Sequence, residues 1–266
     1  MDRELIRAQM PSLVAAHVPR NTRRIEYQIY DDQPIMSVFG HAVDPSPFEG
    51  SVIALTTDAL IIKTGRAHFA VVDRHLATMV PLIGTRVHVQ PYARRRFDGQ
   101  RADASQVSEL HMHDDQPGLV IRLMAGNPSI KLPVPPARCP ELQDLIQQLE
   151  ALPAPDGFRR IGHLLVDANA CDFELVDPTP KNIIRTPPEI SFSVHTAKFS
   201  GRVAVIYDRG ADVYVVELRE GGRCVDRHDD VYFDDLGIVL EKLIDDGQWR
   251  RIHVDILTGP GKRLLH

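Results

Sequence analysis

The chain has 266 residues, of which 43% are hydrophobic and 25% charged, and its formal net charge is −5. This suits one large domain or two small ones with a packed core, and excludes a disordered chain. No run approaches the roughly 20 apolar residues that a membrane-spanning helix needs.

The first residues, MDRELIRAQMPSLVAAHVPR, lack a secretory h-region with a cleavage site. The expectation is a cytoplasmic protein with no membrane partner. Cys139, Cys171 and Cys224 are odd in number and widely spaced, so neither a disulfide framework nor a CxxC metal knuckle is present. The charge is divided unevenly. Residues 1–140 carry 16 Lys+Arg against 14 Asp+Glu, and residues 141–266 carry 15 against 22, giving +2 and −7. The first part can face a polyanion, whereas the second would repel one.

In chain order, residues 1–19 read as a helix ending near Pro19. Ile25, Tyr27 and Ile29 then alternate with polar neighbours as a half-buried strand. Asp31-Asp32-Gln33-Pro34 turns the chain, and Ile35–Phe39 returns as a strand. Three short runs follow, Ser51–Leu55, Ala59–Lys63 and His68–Asp73, then a helical turn over Asp73–Met79 and the strand Arg86–Gln90. Strands of this length between turn residues predict a small, strongly bent, barrel-like antiparallel sheet. Gly50 marks a bend or a close approach of strands.

Residues 91–118 are polar and read as a long loop. Leu119–Met124 is a strand candidate. Proline at 140 and the spacing of Leu142, Leu145, Ile146 and Leu149 predict a helix over Pro140–Leu152. Pro153-Ala154-Pro155-Asp156-Gly157 reads as the domain boundary. Beyond it come a helix over Phe158–Ala168, an irregular segment to Pro188, and the strand Ile190–Val194. A hairpin of Arg202–Tyr207 with Val213–Arg219 and a short run Arg223–Asp226 follow. A helix over Phe233–Asp245 capped by Gly247 and a closing strand Arg251–Leu257 complete the chain.

The fold class expected is α+β. It has a β-rich, barrel-like domain over 1–139, a helix and proline-rich linker over 140–156, and an acidic domain over 157–266. The last is read as an antiparallel sheet packed with two helices.

No nucleotide-binding glycine loop and no Gly-x-Ser-x-Gly elbow appears, so nothing makes a positive case for an enzyme or a cofactor. Three features could carry function. Arg94, Arg95, Arg96 and Arg101, with Tyr92 and Phe97, combine phosphate-neutralising cations with rings able to stack on bases; Lys63 and Arg66, and Arg20, Arg23 and Arg24, could extend the patch. Asp229, Asp230, Asp234 and Asp235, with Asp226, form an acidic cluster suited to a protein partner, to a divalent cation or to the first turn of a helix. His111, His113 and Asp114 have a metal-site composition without a third anchoring motif.

The stretch 48–92 resembles the KfrB-type domain of bacterial plasmids and integrative conjugative elements. The resemblance lies in Gly50-Ser51-Val52-Ile53-Ala54, Ile62-Lys63-Thr64-Gly65-Arg66, Val71-Val72-Asp73 with Leu76, and Ile83-Gly84-Thr85-Arg86-Val87-His88-Val89. In such domains a glycine-led strand, a Q-x-x-G-R turn and a V-x-H strand recur. Here Lys63 stands in the glutamine region, and Asp73-Arg74-His75 approximates the last element. The resemblance implies a mobile-element protein concerned with plasmid maintenance, transfer or protection against host defences.

The leading expectation is a non-enzymatic protein that contacts nucleic acid or a nucleoprotein through the arginine loop. The second is an inhibitor or adaptor whose acidic half engages a basic protein. The third is a metal-assisted enzyme built on His111 and His113.

Overall fold

Asp2 starts the first helix: its carboxylate accepts the N–H groups of Glu4 at 2.9 Å and Leu5 at 3.1 Å, two donors that the helix cannot satisfy itself. The computed structural model describes residues 1–22, 24–104 and 130–259. It divides into two compact units, Met1–Ala93 with Trp249–His266, and Arg94–Gln248.

In the first unit α1 (Arg3–Val14) is followed by β1 (Glu26–Tyr30), a small hairpin of β2 (Ile35–Met36) and β3 (Ala42–Val43), then β4 (Phe48–Leu55), β5 (Ala59–Lys63), β6 (His68–Asp73) and β7 (Arg86–Gln90). α1 lays Ile6, Met10 and Val14 on Ile29, Ala59, Ile61, Phe69 and Val71. The opposite face carries Val52, Leu60, Ile62, Ala70, Val72, Val87 and Val89. Burial on both faces explains why β5 is an unbroken apolar run rather than an alternating one. At Gly50 a Cβ would lie 2.5 Å from the Lys63 carbonyl oxygen, so glycine permits the close strand approach.

The second unit holds α2 (Pro140–Ala151), α3 (Ile161–Asp167), β8 (Cys171–Val176), β9 (Glu189–His195), β10 (Ser200–Asp208), β11 (Val213–Glu220), β12 (Arg223–Val231) and α4 (Leu236–Ile244). The sheet is antiparallel, in the order β12-β11-β10-β9-β8. Its inner face, including Ile190, Phe192, Val203, Val205 and Val216, packs with Leu142, Leu145 and Leu149 of α2, Leu164 and Leu165 of α3, and Leu240 and Ile244 of α4. On the outer face the cross-strand row Glu174, Ser191, Ala204, Glu217, Arg227 is polar except at the buried Ala204. Arg219 bridges Glu189 at 2.6 Å and Glu217 at 2.8 Å, and Arg227 continues the chain of ion pairs from Glu217 to Asp229.

The last strand, β13 (His253–Thr258), returns to the first unit. It pairs antiparallel with β7, with Val254 opposite Val89. The six-stranded order is β1-β6-β5-β4-β7-β13, with β1 and β6 parallel. Among the described residues the strands do not close into a barrel; β1 and β13 remain as edges.

The α+β class holds, while several details differ from the sequence reading. The compact units divide at 93/94 and 248/249 rather than along the proline-rich linker, because α2 contributes its apolar face to the second core and β13 supplies an edge to the first sheet. The second sheet therefore packs with three helices, not two. β8 lies in the segment read as irregular, and α4 begins at Leu236, three residues after Phe233. Ile35–Phe39 forms only a two-residue strand before the chain turns at Ser37–Gly40. The predicted turn after Asp73 is present, with Ala77 N–H donating to the Asp73 carbonyl at 3.1 Å. No described helix is long and apolar enough to cross a membrane.

Candidate interaction surface

The arginine run is a tight hairpin. Arg95 bridges Arg101, Arg96 N–H donates to the Gln100 carbonyl at 2.9 Å, and Gly99 takes the left-handed turn position at φ +78°. Arg94 departs from the expectation of an exposed phosphate contact. It is 2% exposed, its guanidinium lies 4.2 Å from the centre of the Phe158 ring, and it donates to the Phe158 carbonyl at 3.0 Å. Arg101 is committed to Asp103 by two hydrogen bonds of 2.8 and 2.7 Å, and this pairing holds the Asp103 carboxyl below its ordinary range. Arg96 donates to the Gln100 side chain, with its side chain 14% exposed. Arg95 is exposed and turned back on the Gly99 carbonyl at 2.9 Å.

The rings expected to stack on bases are engaged within the protein: Tyr92 meets Trp249 edge-on at 4.7 Å, and Phe97 meets Phe173 at 5.4 Å. Lys63 donates to the His17 carbonyl at 2.6 Å, while Arg66 is exposed on the turn between β5 and β6. Both belong to the first unit, and Arg94–Arg101 to the second. Arg20 and Arg24 are exposed; Arg23, His111, His113, Asp114 and the strand candidate Leu119–Met124 lie outside the described residues. Among the described residues no three His, Cys, Asp or Glu side chains converge as a metal site.

The acidic cluster is displayed differently. β12 is an edge strand, interrupted by an irregularity where Val231 and His228 face Tyr214 and Val216. Asp230 occupies it at φ +56°, a conformation that aspartate tolerates better than most side chains. Asp229 accepts from Arg227 Nε at 2.8 Å. The chain then runs through Tyr232 and Phe233, 58% and 57% exposed, to Asp234 and Asp235. Asp235 sits at the N-cap of α4, next to the helix start where a negative charge complements the dipole, and makes no side-chain cap hydrogen bond. Exposed Ile238 follows on α4.

The result is an apolar pair set between two aspartate pairs, in the order Asp229-Asp230-Val231-Tyr232-Phe233-Asp234-Asp235. Aromatic faces attract guanidinium and ammonium groups, and carboxylates beside them supply charge-assisted hydrogen bonds. The aspartates were visible in the sequence. The two rings were not singled out in the sequence; the signal available was their place between two acidic pairs, where a core would leave carboxylates buried.

A second charged group also escaped the sequence reading. Arg159, fully buried, reaches Asp156 and Asp167 at 2.8 Å and also pairs with Asp245. Burial opposes its charge, yet the three carboxylates raise its pKa above the ordinary arginine value. Its partners are separated from it by 3, 8 and 86 positions, so no local motif announces them. The chain matches no protein-family model, no curated protein and no solved structure.

Proposed function

We propose that this chain is a protein-binding module whose second unit takes a basic partner on the surface around Tyr232 and Phe233. One observation carries the reading: two large aromatic side chains are more than half exposed between two pairs of aspartates. Aromatic side chains are enriched among the residues that anchor protein interfaces, with polar groups at their rim. The irregularities and aspartates of β12 guard its edge against strand addition, so the partner is held by side chains rather than by backbone pairing. The resemblance of residues 48–92 to KfrB-type domains adds a setting to the proposal, a bacterial mobile element. There the module would act as an inhibitor or adaptor toward a basic, nucleic-acid-binding protein.

The test is a fluorescence-anisotropy titration with a labelled oligo-arginine peptide, and in parallel with single-stranded and duplex DNA. The informative variant is Tyr232→Ala with Phe233→Ala, which leaves the net charge unchanged. The peptide should bind, weaken with salt, and lose about tenfold in affinity in the variant. Equal affinity in the variant would reduce the surface to unspecific charge and sink the reading. DNA binding lost in Arg95→Ala would move the function to the arginine hairpin.

A further inference from the structure

His163 lies in the first turn of α3 with no exposed surface. Its Nδ1 accepts the backbone N–H of Arg160 at 3.1 Å. An imidazole nitrogen that accepts carries no proton, so the neutral ring keeps its hydrogen on Nε2. Nε2 is itself buried and has no hydrogen-bond partner among the described residues. The only place for a second proton is therefore Nδ1, where it would point at the Arg160 N–H and destroy the bond that starts the helix.

The surroundings oppose that proton as well. Arg94, Arg159 and Arg160 all act on the ring as positive charges, and Asp156 acts against them. Asp167 at the end of α3 and Asp245 after α4 are taken up by Arg159. On α2, which packs against α3, Glu150 is held by Lys131 and by the Leu132 N–H at 2.9 Å. Among the described residues the arginines acting on the ring outnumber the one aspartate that opposes them, so a proton on His163 would add positive charge beside positive charge.

We propose that the start of α3 is an acid-sensitive latch: His163 holds the turn through Arg160 and α3 closed only while its ring is neutral, and falling pH makes its opening more frequent. Opening would loosen Phe158, and with it the anchorage of Arg94, whose guanidinium lies over that ring and whose hydrogen bond ends on its carbonyl. The arginine hairpin would then be released while the sheet of the first unit stays closed.

The sign follows from the two protonation states. Burial first, then the neighbouring arginines, lowers the His163 pKa from 6.5 to about 3. An open latch takes up a proton below pH 6.5 and a closed one does not, so the closed form is favoured above 6.5 and loses ground as pH falls toward 3.

The experiment is hydrogen exchange followed by mass spectrometry on the full chain, corrected for intrinsic exchange rates. Between about pH 7.5 and pH 5 the opening constant of peptides covering 156–168 should rise about thirtyfold, while β6 peptides show no such rise. His163→Gln keeps an acceptor for the Arg160 N–H, as glutamine does in capping boxes, but cannot titrate. In that variant the rise should vanish. The same pH slope in wild type and variant, or a flat wild type, would overturn the latch. Should the variant fail to fold, nitrogen NMR of labelled histidine in the wild type decides: a neutral Nε2–H ring at pH 5.5 supports the latch, and a ring titrating near its ordinary value in the folded chain refutes it.

Discussion

Arg159 and Arg227 both lie among carboxylates, one with no exposed side-chain surface and three aspartate partners, the other 49% exposed on an edge strand with Glu217 and Asp229. The hydrogen-bond geometry is similar; the solvent is not. Around Arg159 there is little water to replace a lost partner, so each charge depends on the others. Along β12 water and salt screen every pair, and the charges are left for an outside partner to read. The same residue types thus build a structural clamp in one place and a displayed surface in another, and burial draws the line between them.

The comparison breaks most directly at Arg159. Replacing it by alanine strands Asp156, Asp167 and Asp245 in the interior and should cost about 3–5 kcal/mol of stability in urea denaturation. A loss below about 1 kcal/mol would mean that water reaches the cluster and that the contrast with β12 is unfounded. Next comes acid. Wild type should lose about 2 kcal/mol between pH 7.5 and pH 5 relative to His163→Gln, the counterpart of the thirtyfold opening.

Arg227→Ala should cost no more than about 1 kcal/mol, and added salt should shrink the difference further. A larger, salt-insensitive cost would place Arg227 with the buried clamp. The smallest effect belongs to Tyr232→Ala with Phe233→Ala: thermal stability should change by less than about 0.5 kcal/mol per substitution, as at ordinary surface positions. A drop of several degrees in the melting temperature would show that the rings pack the fold rather than wait for a partner.

Much of the architecture could be read from local pattern. Pro140 and the spacing of Leu142, Leu145, Ile146 and Leu149 announced α2, and β10 and β11 stood out on either side of Asp208-Arg209-Gly210. Gly50 was legible as a close approach because glycine inside a strand needs a reason. β8 was harder. It is an exposed edge with Asp172 at φ +51°, and only Phe173 and Leu175 pack against the core. The three consecutive arginines show the limit most clearly: identical in sequence, they end as one buried over Phe158, one exposed, and one largely covered beside Gln100.

By itself the sequence determined the α+β class, most strands and helices, and the presence of an acidic stretch at 226–235, because periodicity, proline, glycine and charge act over a few residues. Only the tertiary structure decided that β13 joins the first sheet, that Asp245 answers Arg159 across 86 positions, and that Tyr232 and Phe233 face outward. Those outcomes depend on which distant surfaces meet and exclude water, and the energy of a charge or a ring is set by that exclusion rather than by its neighbours in the chain.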